Sequence, residues 1–167
     1  MIRSVSTKNK QDIEALAIIY NHYITHSVIS FEVEAVSTSE MTDRVKRVQS
    51  LDFPWLVAED NNQVIGFAYA SPWHSRCAYR HTVELTVYVS PQHTGQGWGL
   101  QLHEALITKL NALKVHVMIA AIALPNPASV ALHEKLGFKK VAQFDEVGYK
   151  FGKWVDVGYW QYLVKQQ

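Results

Sequence analysis

The sequence predicts an α/β (α+β) protein with a mixed, mostly antiparallel central sheet flanked by helices. Alternate-residue and helical hydrophobic spacing succeed one another along the chain in the order β-α-α-β-β-β-α-β-α-β-β. This order lacks the strict strand–helix alternation of a doubly wound sheet, so we expect antiparallel pairing in the first half. No repeat or Pro/Gly-rich linker interrupts the chain, and residues 1–167 are therefore expected to form a single domain.

The N-terminal half contains a short strand, two helices and a hairpin. Apolar residues at helical spacing predict a helix near 12–24, and Ser37 with Glu40 has the spacing of a capping box that begins the second. The inner side of that second helix consists of Met41, Val45 and Val48. Two apolar runs then flank the turn-rich residues 60–63, a pattern typical of a β-hairpin.

The C-terminal half begins with a strand over 81–89, in which Glu84 and Tyr88 lie on the face opposite the valines. Residues 115–123 are apolar on both faces, which predicts a central strand. Asn126 with Pro127 predicts a helix start, Gly137 its end, and two last strands are expected near 138–144 and 155–164. The helix after the strand at 81–89 is predicted to direct inward Trp98, Leu102, Ala105, Leu106, Leu110 and Leu113.

The composition excludes several classes of protein. The chain is 48% hydrophobic and 19% charged, with a formal net charge of +1 and no basic stripe, so no nucleic-acid partner is expected. No apolar run approaches the ~20 residues needed to span a bilayer, and we expect no membrane partner. The single cysteine, Cys77, excludes an internal disulfide and is typical of a cytoplasmic protein.

Three glycines, Gly95, Gly97 and Gly99, lie between the strand at 81–89 and the helix after it. Residues without side chains let several backbone N–H groups approach one ligand, and the helix adds the positive end of its dipole. The segment therefore predicts a pyrophosphate cradle, with a simple chain-reversing turn as the alternative. The P-loop signature would need Lys and Ser or Thr after Gly99, and the dinucleotide fingerprint would need glycine where Leu100 stands.

Residues 83–138 resemble the GNAT superfamily of acetyltransferases. The segment from Thr94 to Gly99 overlays the cofactor motif Arg/Gln-x-x-Gly-x-Gly/Ala, with Thr94 in place of the usual Arg or Gln. The second motif is present as Asn126, Ser129, Gly137 and Phe138. More narrowly, the chain is similar to the phosphinothricin N-acetyltransferase branch in four segments: Ser30–Glu32, Tyr69–Tyr79, Thr82–Pro91 and Gly148–Asp156.

The resemblance implies a GNAT-like fold that binds acetyl-CoA and needs no metal. In that superfamily the strands before and after the glycine turn splay apart around the pantetheine arm. The implied acetyl-CoA contacts are Val87, Tyr88 and Val89 for the arm and thioester, Gly95, Gln96, Gly97, Trp98, Gly99 and Leu100 for the pyrophosphate, and Asn126 and Ser129 on the opposite wall. Asn126 has an alternative interpretation as a helix N-cap.

The implied catalytic residues are Glu84 and His133. An amine acceptor must lose a proton before it attacks, and Glu84 is positioned as the general base, directly or through water. The alternative is a structural carboxylate paired with Arg76 or Arg80. His133 stands where the superfamily often has a tyrosine, and it is a candidate proton donor to the CoA thiolate.

The implied partners are a small amino-acid-like amine, such as phosphinothricin or methionine sulfoximine, and a second copy of the chain in a homodimer. Arginine forks suit the acidic groups of such an acceptor. The predicted acceptor residues are Phe31, Glu32, Arg76, Tyr79, Arg80 and Lys150. Alternative activities are acetylation of a protein N-terminus, a lysine or a polyamine, non-catalytic binding of acetyl-CoA, and nucleotide binding.

Overall fold

The computed structural model describes residues 1–164, which form one seven-stranded sheet and four helices. The strands are β1 (Ile2–Ser4), β2 (Trp55–Asp60), β3 (Gln63–Pro72), β4 (Thr82–Val89), β5 (Val117–Leu124), β6 (Lys139–Lys150) and β7 (Lys153–Leu163). The helices are α1 (Lys10–His26), α2 (Thr38–Gln49), α3 (Trp98–Asn111) and α4 (Pro127–Lys135). The predicted order of elements is confirmed.

The sheet has the spatial order β1-β2-β3-β4-β5-β7-β6, and within residues 1–164 β4 and β5 are the only neighbouring strands that run parallel. Alternate residues of each strand enter two cores. Leu56 and Leu85 pack with Leu102 of α3 on one face, whereas Val57 packs with Leu16 of α1 on the other. Both faces of the sheet are therefore covered, as the sequence predicted.

The helix ends follow local capping chemistry. Ser37 Oγ accepts a hydrogen bond from Glu40 N at 3.1 Å, but the Glu40 carboxylate accepts from Arg44, so only half of the predicted capping box forms. At the end of α3 the prediction for Leu113 was wrong. The helix ends at Asn111, and Leu113 is 38% exposed instead of lying on the inner side.

The last two strands differ from the prediction in length. β6 continues to Lys150, and its pairing with β7 shifts register between Phe144 and Gly148. Glu146 lies in this irregular part with φ of 52°, and its backbone N–H donates to Asp156. Because a bulge breaks the alternation of residues, the pattern ended the predicted strand too early.

The sheet opens at its centre. β4 and β5 pair only from Thr82 with Val117 to Glu84 with Ile119, although β4 continues to Val89 and β5 to Leu124. Beyond Glu84 the two parallel strands separate and leave a gap in the middle of the sheet. No helix within residues 1–164 has both the length and the apolar character needed to cross a membrane.

Candidate active site

A cavity of about 710 Å³ occupies the gap between β4 and β5. Its two strand walls are residues 84–89 of β4 and residues 120–123 of β5. Tyr20 and Tyr23 of α1, the loop 29–32 and residues of α4 close the remaining sides. The splayed strands that the family resemblance implied are therefore present.

The backbone of β4 alternates between its two neighbours. Thr82 O accepts from Trp73 N at 3.1 Å on the β3 side, and His81 O accepts from Val117 N at 3.1 Å on the β5 side. Because successive residues of a strand direct their N–H and C=O groups to opposite sides, odd-numbered residues of β4 face β5. Where β5 has moved away, those groups face the cavity.

Three residues of β4, Leu85, Val87 and Val89, meet this condition. The Val89 carbonyl accepts a hydrogen bond from Tyr23 Oη at 2.5 Å, whereas β5 has no registered partner for the backbone of Val87. The backbone of Tyr88 faces β3, and its ring packs against Tyr20 and Tyr23. Val87 and Val89 are thus placed to contact a ligand in the cavity through their main chain, whereas Tyr88 can contact it only through its side chain.

The glycine segment has the conformation that its sequence requires. Gly95 and Gly97 have φ of 74° and 85°, and Gly97 is the N-cap of α3 without any side-chain cap. The N–H groups of Trp98, Gly99 and Leu100 in the first turn have no intrahelical acceptor. Thr94 and Gly99 line the cavity, so this turn opens onto it.

The side chains in the same segment are turned aside. Gln96 Nε2 donates to Gln92 O at 3.1 Å, Thr94 Oγ1 donates to Pro91 O at 3.0 Å, and Trp98 packs against the α3 core. Of the predicted pyrophosphate residues 95–100, only Gly99 lines the cavity, and the others lie outside it. The unpaired N–H groups in the first turn of α3 are nevertheless the kind of group that binds an anion such as pyrophosphate.

Glu84 occupies the last paired position before the strands separate, and it lines the cavity. It is half-buried, and burial raises the pKa of its carboxyl group. Within residues 1–164 it makes no salt bridge, so the alternative of an ion pair with Arg76 or Arg80 is not observed. The site therefore presents an unpaired carboxylate whose proton affinity is increased.

Helix α4 supplies the opposite wall. Asn126 Oδ1 accepts from Ser129 N at 3.2 Å, so the interpretation as an N-cap is confirmed. The same residue lines the cavity, and its contact with acetyl-CoA stays a prediction. Ser129 and His133 line the cavity one turn apart. Burial lowers the pKa of His133, whose Nδ1 contacts Ser129 O at 2.8 Å.

The loop 29–32 brings Phe31 and Glu32 to the cavity. The Glu32 carboxylate accepts hydrogen bonds from Tyr20 Oη at 2.8 Å and from Arg44 Nη1 at 2.6 Å. Burial by itself would raise the pKa of Glu32, but the hydrogen bonds from Arg44 and Tyr20 outweigh it and lower the pKa. Glu32 is thus a fixed anion on this wall.

Lys150 supports this loop from behind. It is 4% exposed, and its Nζ donates to Ser30 O at 2.5 Å. The Phe31 ring packs directly on the Gly148 backbone, where a Cβ atom would collide with it. Lys150 does not line the cavity, so the structure places it as a support for the residues that do.

The predicted acceptor residues of the β3–β4 connection lie elsewhere. Arg76, Tyr79 and Arg80 are exposed and do not line the cavity. Among residues 1–164 the cavity lining contains no lysine or arginine, and no group of three His, Cys, Asp or Glu side chains that could hold a metal ion is found.

A family model described as an acetyltransferase (GNAT) domain matches residues 5–158. The chain belongs to the GNAT acetyltransferase family. It is an acetyl-CoA-dependent N-acetyltransferase, as the resemblance in the sequence implied.

Named relatives cover most of the chain. It is 44% identical to phosphinothricin N-acetyltransferase of Streptomyces viridochromogenes over 90% of this chain and 81% of that protein. It is 39% identical to the L-methionine sulfoximine/L-methionine sulfone acetyltransferase of Salmonella typhimurium over 92% of this chain and 90% of that protein. The crystal structure of a Sinorhizobium meliloti phosphinothricin acetyltransferase in complex with AcCoA superposes with a TM-score of 0.94, at 33% identity, over 98% of this chain and 88% of that one.

Sequence reasoning missed Tyr20 and His103, which line the cavity, and Arg44, which lies outside it and binds Glu32. Tyr20 was assigned only to the hydrophobic side of α1, and Arg44 carried no signal among the other charges of α2. His103 lines the cavity and contacts His133, although its position on α3 gave no indication of burial. All three act through contacts between residues distant in sequence, which no spacing encodes.

Proposed function

We propose that this N-acetyltransferase moves the acetyl group of acetyl-CoA to the amino group of a small amino-acid-like acceptor of the phosphinothricin or methionine sulfoximine/sulfone type. A single domain over residues 1–167 carries the activity. The observation that carries the proposal is the unpaired Glu84 carboxylate where β4 and β5 separate. The acceptor class is taken from the names of the relatives.

Acetyl-CoA would bind along the gap. The cavity-facing main chain of Val87 and Val89, with the Tyr88 side chain beside them, is proposed to hold the pantetheine arm and the thioester. The amides of Gly95–Leu100 are proposed to hold the pyrophosphate, and Asn126 and Ser129 the far side of the arm. A main-chain N–H directed at the thioester oxygen stabilises the oxyanion of the tetrahedral intermediate.

Glu84 is the proposed general base. The acceptor arrives mostly as ammonium, and the raised pKa of Glu84 makes this carboxylate a better proton acceptor than an exposed one. The amine then attacks the thioester carbonyl. His133 is the proposed proton source for the departing CoA thiolate, whose conjugate thiol has a pKa of roughly 8.5.

The size of the cavity favours a small acceptor. Its volume of about 710 Å³ must hold the acyl end of acetyl-CoA together with the amine, and Phe31 and Glu32 close one side. Glu32 would attract the ammonium group. Arg76, Tyr79 and Arg80 lie outside the cavity, so they would contact the acidic group of the acceptor only where it extends beyond the cavity toward the β3–β4 connection. Lys150 would keep Phe31 in place through its bond to Ser30 O.

A panel of amines with acetyl-CoA, monitored by release of the CoA thiol, tests this function. We expect phosphinothricin or methionine sulfoximine to give a higher kcat/KM than peptides, lysine or polyamines, and Arg76→Ala to raise KM for the acidic acceptors more than for a neutral amine. A preference for peptides would contradict the proposed acceptor class. If acetyl-CoA binds but no CoA is released in the presence of any amine of the panel, the protein is a non-catalytic acetyl-CoA-binding module.

A homodimer is proposed from an apolar surface at the edge of the sheet. Strand β6 is the terminal strand, and Phe144, Val147, Tyr149 and Trp154 are exposed on the β6–β7 hairpin. Sedimentation of the wild type and of Trp154→Lys measures the oligomeric state, and a monomeric wild type would contradict the homodimer.

The cytoplasm remains the proposed compartment because Cys77 is an exposed free thiol.

A further inference from the structure

Two buried histidines join α3 to α4 beside the cavity. His103 is 3% exposed and His133 is 6% exposed, and their Nε2 atoms lie 3.1 Å apart. The rings are nearly perpendicular, at 87°, and both line the cavity. Two imidazole nitrogens at this distance are within hydrogen-bonding range, so one of them must donate a proton.

The other nitrogen of each ring faces a backbone carbonyl. His103 Nδ1 lies 2.8 Å from Gly99 O, and His133 Nδ1 lies 2.8 Å from Ser129 O. A carbonyl oxygen only accepts, so each Nδ1 bears a proton in this arrangement. Without a third proton between the rings, the lone pairs of the two Nε2 atoms would face each other across 3.1 Å. The contacts are all satisfied only when the pair holds three protons and one positive charge.

The environment decides which ring holds the charge. Burial, together with the neighbouring ring, lowers the pKa of His103 to about 4, so His103 is neutral and its Nε2 accepts. Burial also lowers the pKa of His133, and in each ring the contact with a backbone carbonyl, Gly99 O or Ser129 O, acts in the opposite direction. Of the two rings, His133 is the one that also contacts a hydroxyl group, Ser129 Oγ, so the added proton belongs on His133, which then donates from Nε2 to His103.

Charged side chains of residues 1–164 make no hydrogen bond with the two histidines. Glu104 is exposed on α3, and the Glu134 carboxylate of α4 accepts from Trp160 Nε1 at 3.3 Å. Glu84 lies on the wall formed by β4, and among residues 1–164 His133 is the only side chain that shifts the pKa of His103. The pair must therefore stabilise its own charge through the N–H···N contact and the two carbonyls.

A hydroxyl group connects the pair with the cavity. Ser129 Oγ lies 3.4 Å from His133 Nδ1, and Ser129 lines the cavity. The Asn126 cap holds the backbone of Ser129 in this turn. Ser129 O also contacts Nδ1 but cannot pass a proton onward, so the hydroxyl is the contacting group that can carry the Nδ1 proton toward the cavity.

We propose that His103 is a positioning residue for His133, and that the Ser129 hydroxyl carries the His133 proton to the departing CoA sulfur. This rests on the proposed function of His133 as the proton source. When the C–S bond of the tetrahedral intermediate breaks, its electron pair goes to sulfur, which takes the Ser129 Oγ proton. Ser129 in turn takes the Nδ1 proton of His133, which keeps its Nε2–H bonded to His103. The positive charge of the pair and the negative charge of the thiolate disappear together.

Replacement of His103 separates positioning from packing. In His103→Gln the amide oxygen still accepts from His133, whereas His103→Leu fills similar space without an acceptor. We expect the leucine variant to lose about tenfold or more in kcat with less than about a twofold change in KM for acetyl-CoA, and the glutamine variant to keep kcat within about threefold of wild type. His116→Gln, on an exposed histidine outside the cavity, is the control and should leave kcat unchanged.

A spectroscopic measurement does not depend on the acceptor. In ¹⁵N spectra of the histidine side chains over roughly pH 5 to 7, we expect His133 to take up one proton while His103 Nε2 stays unprotonated. Uptake of the proton by His103, or equal loss of kcat in the glutamine and leucine variants, would overturn the proposal. Unchanged kcat in Ser129→Ala would remove the hydroxyl from the route.

Any amine that the wild type acetylates supplies the kcat for these variants. If the wild type does not acetylate phosphinothricin-type acceptors, the proposed acceptor class is contradicted, but the test of the two histidines can still be carried out.

Discussion

Two carboxylates of this protein, Asp12 and Glu84, are both at least partly buried, but they differ in their hydrogen-bond partners and in the direction of their pKa shifts. Asp12 accepts two hydrogen bonds of 2.8 Å from Arg3 and one of 3.1 Å from Ser6 N, and the Arg3 bond above all lowers its pKa. Within residues 1–164 Glu84 has no such partner, and burial raises its pKa. The comparison teaches that a paired charge holds β1 against α1, whereas an unpaired charge leaves a group available for proton transfer.

The largest expected effect comes from breaking the paired carboxylate. Asp12 is 1% exposed, and Asp12→Ala leaves Arg3 without its bidentate partner. We expect the free energy of unfolding to fall by about 3 kcal/mol, measured by urea denaturation. Glu14→Ala, an exposed position on the same helix, is the matched control and should change it by less than about 0.5 kcal/mol.

The pH dependence of stability follows from the same pair. The folded pKa of Asp12 lies below the ordinary value of 3.8, so its contribution is present above that value and is lost as the pH falls through the folded pKa. The difference in stability between wild type and Asp12→Ala should therefore narrow as the solution is acidified below about pH 4. A difference independent of pH would show that Asp12 acts through packing alone.

Replacement of the unpaired carboxylate should affect rate instead of stability. Glu84→Gln keeps the shape and removes the base, and we expect kcat at neutral pH to fall about tenfold or more. Because the folded pKa of Glu84 is raised, its ionised form costs stability above that pKa, so the glutamine variant should be as stable as wild type or more stable. Glu104→Gln, on an exposed carboxylate, is the control, and unchanged turnover of Glu84→Gln would remove Glu84 from the mechanism.

A smaller effect is expected at the glycine turn, which is proposed to bind the pyrophosphate of acetyl-CoA through its main-chain amides. Gly97→Ala introduces a Cβ at φ of 85°, which costs about 1 kcal/mol and should weaken acetyl-CoA binding about fivefold in calorimetry. Gly152 has φ of 72° and lies in the β6–β7 turn, outside the glycine turn that precedes α3. Gly152→Ala therefore introduces a similar strain and should leave the affinity for acetyl-CoA unchanged. Equal affinities for the two variants would show that the turn does not bind the donor.

Much of this arrangement could be predicted because it is local. The alternation in β4 placed Glu84 on the face opposite Val83 and Leu85, and Asn126 with Gly137 marked both ends of α4. The burial of His103 and the exposure of Leu113 could not be predicted, since each depends on where α3 ends and what lies across from it. The exposed positions of Arg76 and Arg80 likewise depend on how the β3–β4 connection folds back.

The sequence by itself determined the order of the elements, the glycine turn and the strand that carries Glu84, because helical and alternating periodicity and positive φ angles are local properties. Only the tertiary structure decided that β5 leaves β4 after Ile119, that Lys150 bonds to Ser30, and that His103 meets His133. Those contacts join residues from 30 to 120 positions apart. Their formation depends on the packing of complete elements against one another, which the pattern of any single segment does not contain.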